Sequence, residues 1–117
     1  MKEISIKRIY DHKEFDGTYR ILADRLWPRG VKKTDLQFDE WDKEIAPSSE
    51  LRKWFDHKPE RFEEFSKLYN EELSSKEKSL DKIRALAKKT PVTLLYGAKD
   101  AKINHAVVLM DRLKNGK

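Results

Sequence analysis

Tyr19-Arg20-Ile21-Leu22-Ala23-Asp24-Arg25-Leu26-Trp27-Pro28-Arg29-Gly30 is the stretch on which the fold turns. Residues 19–26 read as a β-strand, and Pro28 and Gly30 stop it abruptly. Two guanidinium groups, Arg25 and Arg29, and the Trp27 indole are thereby delivered to a strand's carboxyl end. Open α/β sheets place their ligands there. Arginine forms bidentate hydrogen bonds and an indole offers a stacking face, so the combination suits a flat or phosphorylated anion.

Outward from this segment, the chain alternates strands and helices. Ile4, Ile6 and Ile9-Tyr10 approximate a period of two, which predicts a first strand over residues 3–10. Residues 11–18 are polar, with Asp16-Gly17 as a turn signal. A parallel crossover normally needs about a dozen residues or more, so a hairpin and a compressed crossover both stand open here. Residues 31–40 read as loop or a short helical turn, and 40–46 as a short third strand or a turn of helix. Ser48 or Ser49 caps a helix through Glu50-Leu51-Arg52-Lys53-Trp54-Phe55, and Pro59 opens the next one. Phe62, Phe65, Leu68, Tyr69 and Leu73 mark an amphipathic helix, and Leu80, Ile83, Leu86 and Ala87 mark another.

Val92-Thr93-Leu94-Leu95-Tyr96 is a continuous apolar run, as expected of a strand covered on both faces. Gly97, an N-cap at Asp100 and a last helix carrying Ile103, Ala106, Val107, Met110 and Leu113 follow it. Such a helix N-terminus can receive an anion. The elements predict an α/β fold: one three-layer, Rossmann-like domain over residues 1–117, with a small, mainly parallel sheet of three to four strands.

Composition narrows the function classes. The 117 residues are 38% hydrophobic and 40% charged, with 12 aromatic residues, which fits a small core under a densely ionic surface. The chain has no cysteine, so disulfides, thiol catalysis and thiolate metal sites are excluded. No apolar run approaches the roughly 18 residues of a membrane span, and Met1-Lys2-Glu3-Ile4-Ser5-Ile6 does not resemble a secretion signal. The net charge of +5 invites a nucleic-acid reading, but acidic and basic residues interleave along most of the chain. The basic excess concentrates at Lys32-Lys33, in residues 82–89 and in the tail from 112 to 117.

Several segments resemble one family. Arg20-Ile21-Leu22-Ala23-Asp24-Arg25-Leu26-Trp27-Pro28-Arg29-Gly30-Val31, Ala46-Pro47-Ser48-Ser49-Glu50-Leu51-Arg52-Lys53-Trp54-Phe55-Asp56-His57, Phe65 with Tyr69 and Glu72-Leu73, and Leu94-Leu95-Tyr96-Gly97-Ala98-Lys99-Asp100 through Asn104-His105-Ala106 are similar to the YeaO-like branch of the domain of unknown function 488 family. The resemblance covers essentially the whole chain. It implies a compact α/β fold in bacterial or archaeal cytoplasm and brings no established activity. In the wider family a cysteine often ends the last strand, and a Cys-His-Arg triplet opens the final helix. Tyr96 and Asn104-His105-Ala106 stand at those places here, so no thiol or metal mechanism carries over and only His105 remains of the triplet.

The candidate ligand-binding residues are Arg25, Trp27, Arg29, Tyr96 and Lys99, with His105 and Asp24 as candidates for proton transfer. Each has a plainer use. Arg25 pairs with Asp24 or another carboxylate, Arg29 caps a helix end, Trp27 packs in the core, and His105 is a satisfied boundary residue. Trp41 and Trp54 read as packing, and His57 as a donor to a helix-end carbonyl. Ser48 and Ser49 have capping as their obvious use and lie in no Gly-x-Ser-x-Gly elbow. No Walker or dinucleotide glycine loop and no His-Glu-x-x-His spacing occurs, so neither cofactor nor metal is expected. The leading reading is a cytoplasmic protein that binds a phosphorylated or nucleotide-like anion at strand carboxyl ends, with turnover left open. A nucleic-acid accessory protein and a non-catalytic interaction module are the alternatives.

Overall fold

The computed structural model describes residues 3–115. Among these, strands β1 (Ile4–Arg8), β2 (Tyr19–Leu22), β3 (Glu40–Trp41) and β4 (Val92–Tyr96) form one sheet. Helices α1 (Ser49–Phe55), α2 (Phe62–Ser74), α3 (Glu77–Ala87) and α4 (His105–Asn115) accompany it. Every strand pairing is parallel and the order is β1-β4-β2-β3. This is the expected α/β class with its small parallel sheet. Because β4 lies between β1 and β2, residues 9–18 are a crossover and not a hairpin. That crossover contains only a 3-10 turn, Ile9–Asp11. No helix among the described residues is long and apolar enough to cross a membrane.

The register explains the layering. Ile6, Leu94 and Ile21 form one row across the sheet, and Lys7, Leu95 and Leu22 the next. Successive side chains alternate faces, so these rows serve different layers. Ile21 and Leu94 join Val92, Ile4 and the buried residues of all four helices, including Phe65, Tyr69, Leu80 and Leu109. Leu22 and Leu95 join Ile9, Val31 and Leu36, with Tyr10, Trp27, Phe38 and Trp41 around them. The second face is therefore covered by loop segments. β4 is buried along its whole length, as its apolar run predicts.

Arg20 holds this loop layer down. It is fully buried; its Nε donates to the Gln37 carbonyl (2.8 Å) and its Nη2 to the His12 carbonyl (2.7 Å). Asp16 lies 3.5 Å from Nη1 and balances the charge, which an interior guanidinium requires. On the helix face, Ser48 caps α1 by accepting from the Leu51 N–H, while its hydroxyl donates to Glu72 (2.6 Å). The Tyr69 hydroxyl, completely buried, donates to the Ile45 carbonyl.

Four boundaries depart from the sequence pattern. β1 ends at Arg8 and not at 10, because Ile9–Asp11 wind into the 3-10 turn. β2 ends at Leu22 and not at 26, because the Asp24 carbonyl accepts from the Trp41 indole (2.7 Å) and the chain leaves the sheet. β3 is limited to two residues. Asp100 does not cap α4: it accepts from the Lys102 and Ile103 N–H groups of the preceding turn, and Asn104 caps the helix through the Val107 N–H.

Candidate functional site

An open cleft of about 450 Å³ lies where β2 and β4, the two central strands, end. Three pieces of chain build it. The segment after β2 supplies residues 24–29, the turn after β4 supplies Gly97 and Ala98, and the start of α4 supplies Asn104 and His105. Pro47, Arg52, Phe55 and His57, from the neighbourhood of α1, complete the lining together with Tyr10 and Phe65.

Asp24 joins the strand ends. Its Oδ2 accepts from the Gly97 N–H at 2.9 Å, and its Oδ1 is buried 3.1 Å from His105 Nε2. His105 Nε2 also lies 2.8 Å from the Ala23 carbonyl. A carbonyl only accepts, so Nε2 carries the proton and the imidazole is anchored through that atom. Gly97 is required for this closeness: a Cβ at that position would sit 2.9 Å from Asp24 Oδ2.

Arg25 is held by backbone rather than by a carboxylate. Its Nε donates to the Pro47 carbonyl (2.8 Å) and its Nη2 to the Ala46 carbonyl (3.2 Å). The helix-side segment is thereby fastened to the segment after β2, and Nη1 is left with both N–H donors uncommitted among the described residues. Arg29 is exposed, caps no helix and makes no ion pair among the described residues; its carbonyl accepts from the Tyr10 hydroxyl (2.8 Å). Trp27 touches the cleft, but its indole N–H donates to the Val31 carbonyl (2.6 Å). Its ring packs against Phe38 and Trp41 at 5.7 and 5.4 Å. Its duty is chiefly to the loop-side core.

Tyr96 and Lys99 do not line the cleft. Tyr96 is the last residue of β4 and is 3% exposed, opposite Arg8 of β1. Burial raises the pKa of its phenol, so it stays neutral. Lys99 lies on the exposed surface beyond the turn. Asp24, Arg25, Trp27, Arg29 and His105 do come together.

Arg52 and His57 are the cleft residues that the sequence pattern did not bring forward. Arg52 sits three positions before the core residue Phe55, a spacing that already puts it at the edge of the buried helix face. His57 makes no hydrogen bond to a helix-end carbonyl among the described residues; its backbone is left-handed (φ 56°) and its ring borders the cleft. Trp54 also departs from expectation, being 39% exposed with Arg61 over its ring. No group of three or more His, Cys, Asp or Glu among the described residues is placed to hold a metal ion.

Comparison with known proteins shows the family. Residues 3–116 match the family model described as "Inactive DUF488-N3 subclade". The chain is 52% identical over 112 residues to "Uncharacterized protein YeaO" of Escherichia coli (strain K12), covering 96% of this chain and 97% of that protein. It is 39% identical over 114 residues to "Uncharacterized protein Rv3073c" of Mycobacterium tuberculosis, covering 97% and 95% respectively. No solved structure matches. With the family model spanning nearly every residue and half the positions shared with one full-length relative, the chain belongs to the inactive DUF488-N3 subclade.

Proposed function

We propose that the cleft binds a small anionic ligand through a phosphoryl or similar group, and that the protein acts by binding it. One observation carries the reading: Arg25, Arg29 and Arg52 line a single cleft whose one carboxylate among the described lining residues is Asp24. Neither Arg29 nor Arg52 has an ion-pair partner among the described residues, so positive charge is in excess. The α4 N-terminus adds its dipole to the same side. A volume near 450 Å³ falls within the ~300–1,000 Å³ of small-molecule sites.

The family's description as inactive favours binding over turnover. In this reading Asp24 and His105 act by position. Asp24 fixes the Gly97 turn, and His105 is tied to the Ala23 carbonyl, which leaves neither group free at the atoms named.

A thermal-shift panel of inorganic phosphate, sugar phosphates and nucleotides tests the reading. A ligand at ten times its Kd stabilises by about 1.4 kcal/mol, a readable rise in Tm. Arg29→Ala, which removes a side chain with no hydrogen bond or ion pair among the described residues, is expected to melt like the wild type and to lose most of that rise. Absence of any rise in the wild type, or an equal rise in both proteins, overturns the proposal.

A further inference from the structure

The arginines of the cleft come from two places. Arg25 and Arg29 follow β2, whereas Arg52 belongs to the end of α1, with His57 just beyond it. The two groups do not drift relative to one another, because Arg25 donates to the carbonyls of Ala46 and Pro47, the two residues preceding the Ser48 cap of α1.

The ordinary use of a cation at a helix C-terminus is to satisfy the last carbonyls. At α1 that work is done by others. The Asp56 N–H donates to the Arg52 carbonyl and the Lys58 N–H to the Phe55 carbonyl, each at 3.0 Å, while Arg61 Nη1 donates to the Trp54 carbonyl. The Arg52 guanidinium and the His57 ring make no hydrogen bond among the described residues, yet both border the cleft.

The backbone at this corner is also unusual. Asp56 and His57 are consecutive non-glycine residues with positive φ, 47° and 56°. That of Asp56 is the left-handed cap that ends α1, and His57 continues the turn. Here the turn carries His57 to the cleft margin.

Resting on the anion-binding reading above, we infer that the ligand is a diphosphate, one phosphoryl group held by Arg25 and Arg29 and the second by Arg52 with His57. Arginine forks suit adjacent phosphoryl oxygens, and arginines supplied from two elements favour an anion with two linked centres over one with a single centre. The diphosphate is either free or esterified to a larger group.

Isothermal titration at fixed pH and ionic strength compares inorganic phosphate, pyrophosphate and adenosine diphosphate on wild type and Arg52→Gln. The glutamine keeps most of the aliphatic stem and removes the charge, and a thermal melt verifies that the variant is folded. The wild type is expected to bind pyrophosphate at least tenfold more tightly than phosphate. In Arg52→Gln that ratio is expected to fall below threefold, with pyrophosphate losing more affinity than phosphate. Tighter binding of adenosine diphosphate than of pyrophosphate marks the esterified form, and weaker binding the free one; both sustain the inference. Equal affinity of the wild type for phosphate and pyrophosphate overturns the diphosphate inference while leaving anion binding intact. A ratio unchanged in Arg52→Gln overturns it too, and failure of all three ligands to bind removes both readings.

Discussion

Gly97→Ala offers a direct test of how the site is built. Its Cβ would lie 2.9 Å from Asp24 Oδ2, closer than real Cβ contacts, while Tyr10 and Ile9 atoms at 3.8 and 4.0 Å give ordinary contact. The φ of Gly97 is not in the left-handed region, so alanine meets no backbone strain there. The obstruction is the carboxylate alone. Overpacking of this kind costs about 1–3 kcal/mol, and displacing Asp24 breaks its bond to the Gly97 N–H. Unfolding entropy of about 2.1 cal/mol/K per residue converts that cost into a Tm drop of roughly 4–12 °C for a chain of this length. In an Asp24→Ala background the obstruction is gone. The same glycine substitution is then expected to be neutral, or to stabilise by about 0.4–1 kcal/mol through the unfolded chain. A double-mutant cycle read by thermal or urea unfolding measures the difference. Additivity of the two substitutions within about 0.5 kcal/mol would refute the claim that Gly97 is glycine for the sake of Asp24.

Two further predictions concern stability. Tyr69→Phe leaves the Ile45 carbonyl, on a fully buried residue, without its donor and is expected to cost about 1–3 kcal/mol in urea unfolding; an unchanged midpoint would contradict the hydrogen bond. Acid should weaken the fold partly through Glu77, because the hydrogen bond from Arg112, with a smaller one from Arg84, holds its carboxyl below the usual range. A lowered folded pKa means a contribution complete above the unfolded value of about 4.3 and lost as pH falls through the folded one. Tm against pH from 6 to 3 should therefore fall less steeply in Glu77→Gln than in the wild type, and parallel curves would refute the assignment.

Much of this architecture is legible in the chain because the periodicities are clean. β4 announces itself by an unbroken apolar run, and Phe65, Tyr69 and Leu73 fall on one face of α2 as their spacing requires. The loop layer is not legible in the same way. Val31, Leu36 and Phe38 cover the second sheet face from segments with no period, so no moment or alternation advertises them. Arg20 illustrates the same gap: a charged residue in the middle of a strand gives no sign that it will be buried on the carbonyls of His12 and Gln37.

The site divides along similar lines. Asp24, Arg25 and Arg29 stand out because a proline and a glycine interrupt the apolar run they follow, and His105 because it opens a helix after a glycine turn. Tyr96 adjoins the Gly97 turn in sequence, but as the last residue of the buried β4 it is sealed into the sheet. Arg52 was hidden among surface-like neighbours, Glu50 and Lys53, and only the buried Phe55 three positions on betrays its direction. Proximity across elements, not spacing along one, is what assembles its partners.

The placement of β4 between β1 and β2 has a consequence for biosynthesis. β1 is synthesised well before its partner among the described residues, the stretch 92–96. Until then the amino-terminal ribbon has no neighbour to pair with, and β2 has only the two-residue β3 beside it. Closing so long a loop makes assembly of the sheet a late event in folding, in which β4 and the helix that follows it act as the keystone.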